Sequence, residues 1–318
     1  MIPIVTIEGA TASGKSALAL ELAAHYGSEI ISADSRQVYR YLDIGTAKAS
    51  LEDRARIPHH LIDIINPDQS YNAGAFAGDA AKIIEKLHLR GKLPIICGGT
   101  GLYIRSLLEG LFLLPDLPPQ LRAELKHRLA VEGLPALYLQ LCRLDPVFAA
   151  KISPQDSQRV LRGLEVVLGT GVALSEHWRM QKQQSRYKAF RIWMNPPREL
   201  LYQRINTRLQ KMMEAGLLAE IASLFARGYT AASPGLNSLG YKEFLPLFID
   251  CPLGTPEAGE FTPSPETARD CALLAAQHQR NYAKRQVTWY RKENFDLALP
   301  QSQISLSHIS KIINDSCK

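Results

Sequence analysis

The 318-residue sequence predicts an α/β protein: a parallel sheet flanked by helices, interrupted by an all-helical insertion. Short apolar, β-rich runs alternate with helix-like stretches over the first hundred residues, the pattern of a parallel sheet covered on both faces. A glycine-bracketed turn at residues 9–16 separates the first run from the first helix. From about Leu114 to Tyr187 strand alternation disappears while helix signals persist.

Each element has its own warrant. IPIVTI (2–7) is a short strand ending at Glu8-Gly9. SALALELAAHYG follows as a helix, with Leu18, Leu20, Leu22 and Ala23 apolar and Gly27 as its stop. EIISADS reads as the second strand and HLIDI (60–64) as the third. FAGDAAKIIEKLHLRG is a helix closed by Gly91, and KLPIICGGTG is a buried strand running into a glycine turn. Pro115, Pro118 and Pro119 mark where the insertion begins. Inside it, Ser153 is the expected N-cap of a helix, Pro154 its first residue and Asp156 the capping-box carboxylate, with Gly169 and Gly171 closing it. Its stripe would be Val160, Leu161, Leu164, Val167 and Leu168, leaving Arg159 and Arg162 on the opposite face. AFRIWMN returns to strand character, and Pro196-Pro197 opens one long helix to Gly228. The segment 250–265 is a Pro- and Gly-rich loop, a last helix runs from Glu266 to about Lys292, and signals beyond Pro300 are weak. These boundaries give a discontinuous core of 1–114 and 188–300, a helical insertion at 115–187 and a tail at 301–318.

A 46% hydrophobic and 21% charged composition excludes a disordered or fibrous chain. The excess of 37 Lys and Arg over 31 Asp and Glu, +6, permits a polyanionic partner without requiring one. Five scattered cysteines with no C-x-x-C pair argue against a disulfide scaffold or a zinc ribbon and suit a reducing cytoplasm. No apolar run approaches the ~20 residues that span a bilayer, and MIPIVTIEGA does not read as a signal peptide. The expectation is a cytoplasmic monomer with no membrane partner.

Gly9, Ala10, Thr11, Ala12, Ser13, Gly14, Lys15 and Ser16 match G-x-x-x-x-G-K-[ST] between a strand and a helix, the context this motif requires. The core is therefore read as P-loop NTPase-like. Glycines let the backbone wrap an anion, and N–H groups and the helix dipole point at phosphate oxygens. Lys15 adds a point charge and Ser16 is placed to ligate Mg²⁺. Most such cradles hold ATP or GTP; a pyrophosphate leaving group offers the same oxygens, so the loop can also serve alkyl transfer from an allylic diphosphate. Asp34 ends the second strand, at the rim where ligands bind in open α/β sheets. There it serves either as a base or magnesium partner, or as a turn cap. Gly98-Gly99-Thr100-Gly101 would place the Thr100 hydroxyl at the same rim, or be a plain glycine turn. The last helix carries Arg280, Lys284, Arg285, Arg291 and Lys292 among Tyr282, Trp289 and Tyr290. That is either a solvated face or a surface for RNA phosphates with bases stacked nearby.

GATASGKS, ADSRQVYRYLDIGTAK, IPHHLIDI, GGTGLYI, DSQRVLRGLEV, LGYKE and YAKRQVTWYR occur in this order. Together they resemble the bacterial tRNA dimethylallyltransferase family, over residues 2 to about 292. The resemblance implies transfer of a dimethylallyl group from dimethylallyl diphosphate to N6 of adenosine 37, beside the tRNA anticodon. It implies that residues 11–16 hold the diphosphate, with Mg²⁺ near Ser16 and Arg208 as a further clamp. Asp34 becomes the general base and Thr100 a contact near the reaction centre. Ser35, Arg36 and Gln37 would meet the target nucleotide. The remaining tRNA contacts would come from Arg122, from Gln158, Arg159, Val160, Leu161 and Arg162, from Asn237, Gly240, Tyr241 and Lys242, and from Lys284, Arg285, Gln286, Trp289 and Arg291. This chain departs from the family at Ala10, where Pro is frequent, and at Gln279-Arg280, where Thr-Arg is common. An ATP-dependent small-molecule or nucleotide kinase shares the loop and the aspartate, and a non-catalytic RNA-binding protein could use the loop only to grip phosphate.

Overall fold

The structure, a computed structural model, describes residues 1–110, 117–180, 185–251, 254–255, 257, 263–300 and 305–317. It divides into two compact units, residues 1–108 with 185–318, and residues 109–184. The first is built on a parallel sheet of β1 (Ile2–Gly9), β2 (Ile30–Ser32), β3 (His59–His60), β4 (Ile95–Gly98), β5 (Tyr187–Met194) and β6 (Leu297–Leu299). The strand order is β3-β2-β4-β1-β5-β6. Its helices are α1 (Lys15–His25), α2 (Leu51–Arg56), α3 (Ala73–Leu89) and α4 (Gly101–Glu109), whose last residue falls to the second unit. The second unit holds α5 (Pro119–Glu132), α6 (Leu134–Leu144), α7 (Pro146–Ala149), α8 (Ser157–Thr170) and α9 (Leu174–Met180). The chain then returns to the first unit with α10 (Arg198–Glu214), α11 (Leu217–Ala226), α12 (Pro265–Tyr290) and α13 (Leu306–Cys317).

Period-two alternation along β1 sends successive side chains to opposite layers. Val5 and Ile7 pack with Leu18 and Leu22 of α1, while Ile4 packs with Ile84 of α3 and Ile104 of α4. Both layers are apolar, so the central strands are buried on both faces. β1 pairs in register with β4 (Ile7↔Cys97) and β5 (Ile7↔Ile192). This aligns the carboxyl ends of β1, β2 and β4 at one rim.

The structure corrects the sequence reading in several places. HLIDI is not a strand beyond His60. Leu61 and Asp63 take φ of 62° and 57°, and the turn aims the Asp63 carboxylate at Lys48 (2.5 Å) and Arg54 (2.7 Å). The long helix after Pro197 is two helices. Gly216, at φ 96°, breaks it, and Leu217 and Ile221 then pack with Tyr241 and Phe244 in a core that the end of α10 shares through Leu209 and Met212. The end of the core segment and the described part of the tail, residues 305–317, both hold elements the sequence reading did not place. β6 adds a strand beside β5, and Ile309 and Ile313 of α13 pack in the same layer as α1.

In the second unit, Leu125, Leu137, Leu141, Phe148, Val160 and Leu164 form the core. The N-cap of α8 is Asp156, accepting from the N–H of Arg159 at 3.1 Å. Ser153 instead closes a turn on Gln155 N–H. The buried stripe of α8 runs through Val160, Gly163, Leu164 and Val166, with Leu168 exposed. Gly163 belongs to it because a Cβ there would lie 2.7 Å from Leu141. Among the described residues no helix is long and apolar enough to cross a membrane.

Candidate active site

The turn between β1 and α1 wraps the mouth of a cleft of about 660 Å³. Ala12 and Gly14 take φ of 62° and 97°, so the loop curls back and exposes its N–H groups. Gly9 has no room for a side chain. A Cβ there would stand 2.7 Å from the Met194 carbonyl of β5 and from Ser13 Oγ. Lys15 Nζ donates to Ala10 O at 3.2 Å, folding the ammonium over the loop. Burial lowers its pKa, and the neighbouring Asp34 carboxylate works against that. Ser16 is exposed at the first turn of α1.

Two arginines of α10, one helical turn apart, reach the same loop. Arg208 Nη2 donates to Thr11 Oγ1 at 2.6 Å and to Gln279 Oε1 at 3.2 Å, while its buried Nε has no protein partner. Burial also lowers the Arg208 pKa, with Asp34 opposing. A guanidinium remains charged at neutral pH, so the site keeps a desolvated cation beside the cradle. Arg204 lines the cleft and donates to Ser13 O at 3.4 Å. The sequence reading missed Arg204, although its i, i+4 spacing from Arg208 was a usable signal.

The acceptor side of the rim is made by β2 and β4. Asp34 Oδ1 accepts from the N–H of Arg36 (2.8 Å) and of Gln37 (3.4 Å). The Thr100 hydroxyl accepts from Ser35 N–H at 3.1 Å, and Thr100 N–H donates to Ala33 O at 3.2 Å. The two strand ends are thus laced together. The glycines around Thr100 are there for close approach: Cβ atoms at Gly98 and Gly101 would lie 2.1 Å from Ala33 O and 2.3 Å from Trp289 Nε1. Cys97, at the base of the cleft, is pushed up to about 11 by burial and stays a thiol. Beneath the loop, Arg191 chelates Glu8 at 2.8 and 2.9 Å and also meets Glu293, which pairs with Arg105. Those buried charges fix the strand that feeds Gly9.

The residues expected to meet RNA separate into exposed and buried sets. Arg36, Asn237, Lys242, Lys284, Arg285 and Arg291 are exposed on the first unit, and Arg122, Gln158, Arg159 and Arg162 on the second. Val160 is wholly buried and Leu161 half-buried in the core of the second unit. The expectation that the Val160 side chain contacts RNA is corrected by its packing. Tyr241 is also wholly buried, with its hydroxyl donating to Glu220 at 2.5 Å. Its ring lies so close to Gly45 that a Cβ there would come within 2.4 Å. Gly240 is buried and its N–H donates to Glu243 at 2.8 Å. Gln37 is spent inside, accepting from Ser32 Oγ and donating to the carbonyls of Thr46 and Ala47.

Of the aromatic residues named on α12, Tyr282 is half-buried beneath Arg285, 5.7 Å from its ring, and the other two are taken up by packing. Tyr290 is buried, and Trp289 is packed against Gly101 with Arg105 over its ring at 4.2 Å. Arg280 is tied to Asn206 at 2.7 Å, and Gln279 faces Arg208 rather than solvent. Gln286 is buried and bridges Thr11 and Gly99. What α12 offers outward is charge.

A six-stranded parallel sheet with a glycine-lysine loop between β1 and α1 defines an α/β protein of the P-loop class. A family model described as IPP transferase matches residues 37–293, and one described as isopentenyl transferase matches residues 2–63. The chain belongs to the IPP transferase family. It is 42% identical over 292 residues to a tRNA dimethylallyltransferase of Geobacter metallireducens, covering 92% of this chain and 90% of that one. A relative of the same name from Levilactobacillus brevis is 42% identical over 295 residues, with the same coverage. Among solved structures, a tRNA isopentenylpyrophosphate transferase from Bacillus halodurans aligns over 99% of this chain and 95% of its own, at 34% identity and TM-score 0.68. A eukaryotic dimethylallyltransferase described as acting on tRNA aligns at TM-score 0.81 and 28% identity, covering 99% of this chain and 79% of the other.

Proposed function

We propose that this chain transfers a dimethylallyl group from dimethylallyl diphosphate to N6 of adenosine 37 of tRNA, releasing pyrophosphate. The observation that carries the reading is the convergence of Lys15, Arg208 and Arg204 on the loop from two elements. Across the rim stand Asp34 and Thr100. One wall is built for a departing polyanion and the other for an attacking, proton-bearing nucleophile.

An exocyclic amine is a weak nucleophile, and its base must leave the stack to be approached. As N6 forms its bond to C1 of the allyl group, the C1–O bond to the diphosphate breaks. Asp34 takes the proton that N6 loses, and the electron pair of the broken bond leaves with pyrophosphate. Lys15, the loop N–H groups and the Arg208 guanidinium face the charge that grows there. Removing one such preorganised group typically costs about 3–4 kcal/mol. Thr100 holds the 34–35 turn in place through Ser35 N–H. The exposed cations of α12, with Arg36 and Lys242, give the first unit a basic surface for the RNA backbone. Those of α5 and α8 give the second unit another.

Mg²⁺ fits the cradle. Among the described residues no three His, Cys, Asp or Glu side chains cluster to hold a metal, but Mg²⁺ is commonly held by one or two protein oxygens, waters and phosphate oxygens. Ser16 Oγ, with Asp34 through water, would hold it, and it would neutralise diphosphate charge. The scheme needs residues of one chain only, as a monomer would supply. Incubation with radiolabelled dimethylallyl diphosphate and unmodified tRNA tests the reading. Label in the anticodon loop is expected, whereas unlabelled tRNA together with phosphoryl transfer from ATP would make the chain a kinase.

A further inference from the structure

We propose that Gln286 is the positioning residue that locks the diphosphate loop to the Thr100 turn. It is nearly fully buried in a helix whose neighbouring residues Lys284 and Arg285 are exposed. Its carboxamide uses both ends. Oε1 accepts from Thr11 N–H at 2.9 Å, and Nε2 donates to Gly99 O at 2.8 Å. Neither bond is local, since the partners lie 275 and 187 residues away in sequence. Each satisfies a backbone group that would otherwise stand unpaired at the mouth of a cleft.

The crowding at Gly99 supports the same assignment independently. A Cβ on Gly99 would stand 2.6 Å from Gln286 Nε2, 3.3 Å from Gly9 O and 3.7 Å from Lys15 Nζ. The amide, the start of the phosphate loop, the Lys15 ammonium and the Thr100 turn therefore meet at one place. From Gly99 the connection continues through Thr100 to Ser35 and the Asp34 turn. One amide spans the donor side and the acceptor side of the cleft.

A second consequence concerns the loop itself. Thr11 N–H is held by Gln286, so this amide is not turned toward the phosphates, and Thr11 Oγ1 is left to receive Arg208. Gln286 thereby sets which loop groups face the diphosphate. A loop released from it keeps its sequence and its lysine but loses the geometry that makes them a cradle.

The inference rests on the diphosphate reading of the loop, not on the identity of the acceptor. The test is Gln286→Met, which keeps the length and bulk of the side chain and removes both hydrogen bonds, with Gln286→Asn as a second variant that keeps the amide but falls one methylene short of spanning both partners. Inorganic pyrophosphate affinity, KM for dimethylallyl diphosphate, kcat and tRNA affinity are measured on the full chain. Both variants should weaken pyrophosphate binding and raise the donor KM by roughly tenfold or more, with tRNA affinity unchanged within about twofold. Loss of folded protein alone would lower kcat and leave KM in place. Unchanged pyrophosphate affinity and donor KM would overturn the proposal, as would a loss confined to tRNA affinity. If the wild-type chain bound pyrophosphate but never prenylated tRNA, the functional reading would fall, while weakened pyrophosphate binding by the variants would still support the role of Gln286.

Discussion

Replacing Asp34 by Asn separates two jobs held by one carboxylate. Oδ1 caps the turn after β2 by accepting from the N–H groups of Arg36 and Gln37. Oδ2 makes no hydrogen bond among the described residues and is the oxygen available to take a proton. An asparagine presents its carbonyl to the same two N–H groups, so Asp34→Asn keeps the cap and loses the base. Removing a general base typically costs 10²–10⁴-fold, or about 3–5 kcal/mol of barrier. Asp34→Ala loses the cap as well, worth about 1 kcal/mol by analogy with helix caps, or roughly 2–4 °C of melting temperature in a chain of this size. Single-turnover transfer from labelled dimethylallyl diphosphate at saturating tRNA reads the chemistry, and thermal unfolding reads the cap. The asparagine variant should melt like wild type, bind tRNA within about twofold and react at least about a hundredfold more slowly. An asparagine variant reacting within about threefold of wild type would mean that the proton of N6 leaves by another route.

Other consequences can be checked with comparable economy. The Lys15 pKa is lowered by burial, and a bound diphosphate must raise it again, so binding takes up a proton at alkaline pH. Pyrophosphate affinity should therefore fall as pH rises, beginning below the ordinary lysine value of 10.5, by up to about tenfold per pH unit; calorimetry from pH 7 upward would show a flat profile if Lys15 were not engaged. Burial works against the Glu29 carboxylate, but hydrogen bonds from Lys92 and His60 and the Arg90 charge hold its pKa down to about 2, against 4.5 ordinarily. The difference of 4.5 − 2 = 2.5 corresponds to roughly 3 kcal/mol. That stability is fully present above pH 4.5 and lost as pH falls through 2, so Glu29→Gln should cost most at neutral pH and progressively less in acid, read by urea unfolding. Gly101→Ala would drive a Cβ to 2.3 Å from Trp289 Nε1; a loss of about 1–3 kcal/mol and a slower enzyme are expected from melting curves and kcat. Exchanging Lys284, Arg285 and Arg291 for Ala should weaken tRNA binding and flatten its salt dependence by about 0.7–0.9 for each phosphate no longer neutralised, and an unchanged slope would make that face merely solvated.

The sequence carried the phosphate loop because its chemistry is local. Residues 9–16 must be contiguous to wrap an anion, so spacing alone exposes them. Asp34 and Thr100 were legible for a related reason: each follows an apolar run, and strand ends in such sheets share a rim. The β3 extension failed because HLIDI is apolar enough to read as a strand while Asp63 is needed in a turn by Lys48 and Arg54, partners that no window around residue 63 reveals together. The helix after Pro197 was read through Gly216 because propensity tolerates one glycine at about 1 kcal/mol. The break becomes evident only once Leu217 and Ile221 meet Tyr241 and Phe244, partners from beyond the helix. The helix at 306–317 is amphipathic but lies after a stretch of weak signals, and its packing against the layer of α1 is a contact across most of the chain.

The helix α12 shows why a motif block cannot be assigned to one role. KRQVTWYR places Lys284, Arg285 and Arg291 outward, Gln286 and Tyr290 inward, and Trp289 beneath α4. A rotation of about 100° per residue separates a side chain that can meet an RNA phosphate from one that braces the pyrophosphate cradle. The same division appears in LGYKE, where Lys242 is exposed, while Tyr241 fills the space beside Gly45 and Glu243 holds Gly240 N–H and His278. Substituting the outward positions should therefore change tRNA affinity and its salt slope, whereas substituting the inward ones should change donor KM or stability. Kinetics that failed to divide the block in this way would show that the two faces do not act separately.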